Sequence, residues 1–313
     1  MSVEVNDSRV LVVGESLVDV TETFAGESTV YPGGSPLNVA VGLARLGLTT
    51  TLATQLGDDS PGALVRNHLA GSGVDVVTLD PPQPTGSATA WLDEQGRATY
   101  SFDIGWDPIA VSVPDGVTRV HVGSIAAYLP PGADAVLDCA RRAHAAGIPV
   151  SFDPNVRPAV APDLSEVRQR VLELVAEAEV VKLSDEDVDA LFPDRPPEAV
   201  VDELIATGGP RLVVLTRGAD GATLVTGEHR VAVGATPVPV VDTIGAGDSF
   251  MAALLAALAE PPMASSLDRD HLGFLGAVAC EAAAVTCSRP GADPPWRREL
   301  PTLAGETAAP PTS

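Results

Sequence analysis

The segment Val241-Asp242-Thr243-Ile244-Gly245-Ala246-Gly247-Asp248-Ser249-Phe250 reads as a short strand running into a glycine-flanked turn that ends on an acid. Residues 251–258 follow without a polar side chain, the pattern of a buried helix. Gly245, Ala246 and Gly247 therefore fall at a helix N-terminus, where amides without carbonyl partners and the positive end of the helix dipole attract an anion. An acid beside such a site is repelled by a bound phosphate unless it takes a proton from a hydroxyl that attacks the phosphorus. That is the base role in phosphoryl transfer, and it falls to Asp248. A plainer reading stands beside it, in which Asp248 caps the helix and the glycines only permit a tight turn. The company of the segment separates the two: a second acid, Asp242, lies across the loop, and polar turns recur upstream.

Across the 313 residues, strand-like and helix-like segments alternate without a long linker. Residues 1–304 are thus expected to form one large α/β domain with a small accessory element. A formal net charge of −23 argues against nucleic acid or an anionic membrane as partner, since both are repelled over the whole surface. Lys182 is the only lysine, so nearly all positive charge sits on arginine. Cys139, Cys280 and Cys287 show no Cys-x-x-Cys spacing and fall in apolar helical patterns, as reduced core thiols do in a cytosolic protein. No run approaches the roughly 20 apolar residues that span a bilayer. Glu4 and Asp7 ahead of the first apolar strand are the opposite of a basic signal-peptide start, so the cytoplasm is the expected location.

Buried-type strands are expected at residues 10–13, 117–122, 148–152, 179–183 and 211–216, with helical patterns at 36–46, 61–70, 133–146, 164–178 and 197–207 between and after them. Two of the helices open with a serine cap and a following proline, Ser35-Pro36 and Ser60-Pro61. Such spacing implies βαβ units and a mainly parallel sheet covered on both faces. Two runs, 86–92 and 97–102, flank Asp93-Glu94-Gln95-Gly96 as a hairpin. With residues 21–30 they are expected to form a small antiparallel sheet within about 15–35 and 86–104. Tyr100, Phe102 and Ile104 alternate with polar residues, giving one apolar face for a ligand, a second subunit or the main sheet. The Pro-, Ala- and Thr-rich residues 305–313 are expected to be a disordered tail.

In parallel sheets ligands collect beyond the carboxyl ends of the strands, and the polar turns fall there. Asp19, shortly after the first strand, offers a carboxylate for two sugar-type hydroxyls, or is a turn acid. Tyr31-Pro32-Gly33-Gly34-Ser35-Pro36-Leu37-Asn38 puts two glycines before a helix and an amide one turn in, for a ligand or simply for a cap. In Asp153-Pro154-Asn155-Val156-Arg157, three polar side chains at alternate positions point to one side, where Arg157 suits a phosphate or is merely solvated. Lys182 and Ser184-Asp185-Glu186-Asp187 gather groups that orient magnesium or phosphate, although acids in a first helical turn are ordinary dipole partners. Thr216-Arg217-Gly218-Ala219-Asp220-Gly221 suits a nucleotide lying flat on backbone, or a plain turn. No Walker lysine motif, Gly-x-Gly-x-x-Gly loop, Ser-His-Asp group or zinc spacing competes.

Together these segments resemble the ribokinase-type, or PfkB-type, carbohydrate kinases, and most of all their fructokinase branch, over roughly residues 10–298. The resemblance rests on Pro32-Gly33-Gly34-Ser35-Pro36-Leu37-Asn38-Val39-Ala40 and on Asp242-Thr243-Ile244-Gly245-Ala246-Gly247-Asp248-Ser249-Phe250. It implies a ribokinase-like three-layer α/β sandwich with a mainly parallel central sheet and a small antiparallel β lid. It also implies transfer of the γ-phosphoryl group of ATP to a primary hydroxyl, D-fructose first. Ribose, 2-keto-3-deoxygluconate or a nucleoside are alternative acceptors, and a non-catalytic sugar-binding regulator is the alternative from another class. By the same resemblance Asp248 is the base and Gly245, Ala246 and Gly247 form the anion hole. Asp19, Gly33, Gly34, Asn38 and Arg157 bind the sugar, while Lys182, Ser184, Thr216, Gly218 and Gly221 serve ATP. Asp242 and Thr243 help hold a monovalent cation such as K⁺, with backbone of residues 288–292 closing the site, and Asp187 serves Mg²⁺ indirectly. The lid is expected to pair two copies as a homodimer. Two departures stand out: the family's Asn-x-x-Glu is Ser184-Asp185-Glu186-Asp187 here, and Val278-Ala279-Cys280 lacks the asparagine that many relatives place near adenine.

Overall fold

The computed structural model describes residues 8–92, 98–161, 163–260 and 266–304. The chain opens with β1 (Arg9–Val13), β2 (Leu17–Glu22), β3 (Ser28–Gly33), α1 (Ser35–Arg45), β4 (Thr49–Thr54), α2 (Ser60–Gly71) and β5 (Asp75–Thr78). A hairpin, β6 (Gly86–Leu92) and β7 (Ala98–Asp103), precedes β8 (Arg119–Gly123), α3 (Ala133–Ala145), β9 (Val150–Asp153), α4 (Leu164–Glu177) and β10 (Val180–Ser184). Then come α5 (Asp185–Leu191), α6 (Pro197–Ala206), β11 (Leu212–Thr216), β12 (Ala222–Val225), β13 (Arg230–Val233), α7 (Ala246–Leu258), α8 (Arg269–Cys287) and the short α9 (Pro301–Ala304).

Among the described residues nine strands form the main sheet, in the order β13-β12-β11-β10-β9-β8-β1-β4-β5. Every pairing from β11 to β5 is parallel, and β12 and β13 add an antiparallel edge. The pleat splits each central strand between two cores. Val10 and Val12 join α1, α7 and α8 on one face, while Leu11 and Val13 join α3, α4 and α6 on the other. Both faces are covered, which is why these strands read as continuous apolar runs rather than alternating ones. Helix α7 packs against α1 and α8, and each of its residues from Asp248 to Leu258 is buried. The three layers and the mainly parallel sheet agree with expectation.

A second sheet, β3-β2-β6-β7, forms the lid. Its two hairpins are antiparallel, and they join along a parallel seam between β2 and β6. Polar bonds pin the lid to the body. The amide of Gln55 donates to Asp107 Oδ1 (3.0 Å) and Gln83 to both Asp107 oxygens (2.9 Å), while Asp59 accepts from the Thr85 amide (2.9 Å) and hydroxyl (2.7 Å). The expected hairpin turn at residues 93–96 and the tail at 305–313 lie outside the described residues.

Three local expectations are corrected. No strand precedes α7 at Val241. Pro237 and Pro239 have no amide proton to give a ladder, and the amides of Val241 and Asp242 both donate to the Cys287 carbonyl at the end of α8. Gly34, not Ser35, occupies the N-cap of α1, so the serine hydroxyl is released for another partner. Asp59, not Ser60, caps α2, accepting from the Gly62 amide at 2.7 Å. Among the described residues no helix is long and apolar enough to cross a membrane.

Candidate active site

The carboxyl ends of β1, β8, β9, β10 and β11 form one rim, and α7 begins above it. Gly245 is the N-cap of α7 with φ 74 and offers no side-chain cap. A Cβ there would stand 2.6 Å from Ala292 Cβ, so the left-handed turn and the close approach both demand glycine. The Ala246 amide donates to the Thr243 carbonyl within the turn (3.2 Å). Gly247 and Asp248, next in the first turn, have no helical carbonyl to bond, so their amides carry the anion-attracting capacity of this terminus.

Asp248 is 7% exposed, and its carboxylate is fixed from the start of α1. The Ser35 hydroxyl donates to Oδ1 at 2.6 Å and the Asn38 amide to Oδ2 at 2.8 Å. The two signature segments, more than 200 residues apart in sequence, thus meet at one carboxylate. Both donors hold the carboxylate in one orientation at the start of α7.

The residues expected to meet sugar hydroxyls lie beside this pair. Asp19 on β2 faces Tyr31 on β3 and Ala88 on β6. A Cβ on Gly33 would stand 2.1 Å from Asp19 Oδ2, so that glycine makes room for the carboxylate. Gly34, at φ 108, lets the chain pass the Glu15 carbonyl, which a Cβ would meet at 2.8 Å. Partial burial pushes the Asp19 carboxyl up to about 6; Arg157 opposes the rise and Asp248 adds to it. The charge of Arg157 is thereby felt at Asp19. The expected one-sided alternation of Asp153, Asn155 and Arg157 does not hold. Asn155 adopts φ 39, which breaks the extended run, so Asp153 is buried while Arg157 is exposed.

At the other end, Lys182 Nζ donates to Asp153 Oδ2 at 2.8 Å, both groups being buried. Asp187 closes a reciprocal capping box on α5. Its Oδ2 accepts from the Ser184 amide (2.8 Å) and hydroxyl (2.7 Å), and its Oδ1 from the Val156 amide (2.7 Å). Ser184 and Thr216 stand side by side in register on β10 and β11. Gly218, φ 47, has open space around it, whereas a Cβ on Gly221 would stand 2.1 Å from the Val233 carbonyl. Gly221 therefore serves close packing of the sheet edge, and Gly218 offers bare backbone. Asp242 Oδ2 accepts from the Gly291 amide at 2.8 Å, tying the loop before α7 to residues 288–292.

A sequence model described as pfkB family carbohydrate kinase matches residues 7–298. The chain belongs to that family. Among its pfkB relatives, the fructokinase of Salmonella typhimurium is 31% identical over 302 residues, covering 94% of this chain and 98% of the relative. The structure of a fructokinase with bound ATP from Xylella fastidiosa superposes with a TM-score of 0.83 at 26% identity, covering 96% of this chain and 99% of that one. A double mutant of the fructokinase from Vibrio cholerae O395, bound to fructose, ADP and a potassium ion, gives 0.79 at 28% identity, covering 91% and 94%.

Within this pfkB chain, sequence reasoning missed two residues of the site. Ser35 was read as a cap, although the glycine before it can fill that position and free the hydroxyl for Asp248. Glu15 is 3% exposed and accepts from the Ala126 amide at 2.9 Å, which braces the turn after β8. Burial pushes its carboxyl up to about 7; bonds from Ser124 and Ala126 oppose the rise, and the charge of Asp248 adds to it. An acid directly after a buried strand, at Gly14-Glu15, was the available signal.

Proposed function

We propose that this chain transfers the γ-phosphoryl group of ATP to a primary hydroxyl of D-fructose. The carrying observation is a buried carboxylate, Asp248, oriented by Ser35 and Asn38 at the uncapped N-terminus of α7. Fructokinase relatives near 30% identity, one of them bound to fructose and ADP, support the choice of sugar. Asp19 accepts hydrogen bonds from sugar hydroxyls, and the lid closes over the ring. Asp248 takes the proton of the primary hydroxyl as its oxygen attacks the γ-phosphorus in line. The bond from that phosphorus to the β–γ bridging oxygen breaks, and ADP leaves. Amides of Gly247 and Asp248 receive the charge that spreads over the phosphoryl oxygens.

Magnesium, if carried in with the nucleotide, would supply charge neutralisation at the phosphates. Among the described residues no three acidic, histidine or cysteine side chains form a ready cage for a metal, which suits an ion carried in by phosphates. Asp153 Oδ1, buried and without a hydrogen-bond partner among the described residues, fits the ion's hydration shell, and Asp187 acts at most through that shell because its oxygens hold Val156 and Ser184. Asp242, Thr243 and backbone of residues 288–292 are assigned to a monovalent cation, as potassium is bound in the Vibrio fructokinase. Tyr31, 60% exposed on the Asp19 face of the lid, supports a second copy of the chain covering that face.

The test is a panel of hexoses, pentoses, 2-keto-3-deoxygluconate and nucleosides with ATP, the product read by phosphorus NMR. Highest kcat/KM on D-fructose with a phosphate on a primary carbon is the expected result. Preference for a pentose or nucleoside reassigns the substrate, and no phosphorylated product from any acceptor overturns the kinase reading.

A further inference from the structure

The amino ends of the main strands, opposite the rim, enclose a cavity of about 300 Å³. The starts of β1, β8 and β10 form its floor, and the last turn of α7 and the approach to α8 close over it through Leu255, Leu258 and Leu267. Arg119 opens β8 and stands in register beside Val10, which belongs to the core under α1, α7 and α8. A guanidinium therefore occupies a position at which the neighbouring strand carries an aliphatic side chain. Its Nη1 is sealed from solvent and has no hydrogen-bond partner among the described residues.

The surroundings leave that charge unmatched. Glu179 Oε2 lies 3.8 Å from Arg119 Nη2, outside hydrogen-bond range, while Oε1 of the same carboxylate accepts from Arg211 Nη1 at 3.0 Å. Among the described residues Glu179 is the only acid lining the cavity, so two arginines and one carboxylate leave one positive charge over. Burial pulls the Arg119 pKa down, Glu179 opposes the fall and Arg211 adds to it, yet a guanidinium stays protonated at neutral pH. Stability of the fold does not explain the placement, because a buried charge without a partner costs more than an apolar side chain of similar volume. Nor does the end of α7 need the arginine. Its Leu255, Ala256 and Ala257 carbonyls are taken by the Ala259 and Glu260 amides, and it turns leucine side chains to the cavity.

We propose that this cavity is a second ligand site, for a small organic monoanion whose carboxylate sits on the Arg119 guanidinium and whose short apolar body lies against Leu48, Leu258 and Leu267. One anionic head matches the one surplus charge, and a planar guanidinium offers two parallel N–H groups to a carboxylate. The leucines supply the surface that an apolar body covers. The volume is at the lower end of the range for small-molecule sites, about 300 to 1,000 Å³, so that body is short. Inorganic phosphate would leave the leucines uncovered. Strands of five residues such as β8, at roughly 3.3 Å per residue, separate this cavity from the rim by about 16 Å. The two sites are distinct, and the inference holds whatever reaction the rim performs.

The probe is hexanoate, with hexanamide as its neutral isostere and inorganic phosphate as an anion without an apolar body. Wild-type protein with labelled leucine and valine methyl groups is titrated by NMR, and affinities are measured by calorimetry. Hexanoate should shift the Leu48, Leu258 and Leu267 methyls saturably and bind about tenfold or more tighter than hexanamide or phosphate. Arg119→Met, which removes the charge and leaves Glu179 to Arg211, should weaken hexanoate by about 10- to 100-fold and leave hexanamide as it was. Should that variant not fold, the contrast between acid and amide on the wild-type chain decides alone. Absence of a saturable shift at those methyls, equal binding of acid and amide, or phosphate binding as tight as hexanoate overturns the proposal. So does an Arg119→Met protein that binds hexanoate as the wild type does.

Discussion

Helices α5 and α7 both carry an aspartate at their third position, Asp187 and Asp248. At α5 the N-cap is Ser184, and the hydroxyl and carboxylate satisfy each other's backbone amides in a capping box, with the remaining oxygen on Val156. At α7 the N-cap is Gly245, which has nothing to offer the helix, so no box forms and the acid is held instead by Ser35 and Asn38 of α1. One terminus is closed on itself, and the other keeps free amides and a directed carboxylate. Between these two helices, the completed cap braces α5, whereas the open terminus of α7 leaves amides that could receive an anion.

That contrast is broken most readily at Asp248. Asp248→Asn is expected to lower kcat by about 10²- to 10⁴-fold, with sugar affinity by calorimetry retained; near-normal turnover would refute the base. Next is pH. Because the Asp19 carboxyl is raised to about 6, the acceptor form is lost as pH falls through that value. Fructose affinity should then be flat above about pH 7 and fall by up to about tenfold per unit below 6, a slope that Asp19→Asn removes. Ser35→Ala leaves one oxygen of Asp248 without its donor and should lower kcat about tenfold while thermal unfolding stays in place. The smallest effect belongs to the closed terminus: Ser184→Ala should cost about 1 kcal/mol of stability, seen as a lower Tm, with a smaller fall in kcat than at Ser35. A larger kinetic than thermal effect at Ser184 would erase the distinction between the two helices.

The βαβ rhythm and both signature segments were legible in the sequence, since apolar runs and glycine turns are local properties. The candidate base was singled out for the same reason, because only Asp248 among the acids follows two glycines into an apolar helix. Partners were not. Ser35 and Asp248 are 213 positions apart, and only the packing of α1 on α7 brings them to 2.6 Å. Likewise, no periodicity shows that Asp153 turns inward to Lys182 rather than outward with Arg157, because the bend at Asn155 is a backbone choice made by the surrounding rim. The seam between β2 and β6 also escaped, since adjacency of two hairpins is decided by what they cover and not by their own alternation.

The open terminus is tested most directly by backbone amide NMR of labelled protein on adding ADP, aluminium fluoride, magnesium and fructose, which together mimic the phosphoryl group in flight. The amides of Gly247 and Asp248 should shift strongly downfield as they bond the anion, while those of Glu186 and Asp187 in the capped first turn of α5 stay near their starting positions. Strong shifts at α5 with none at α7 would contradict the assignment of α7 as the phosphoryl site.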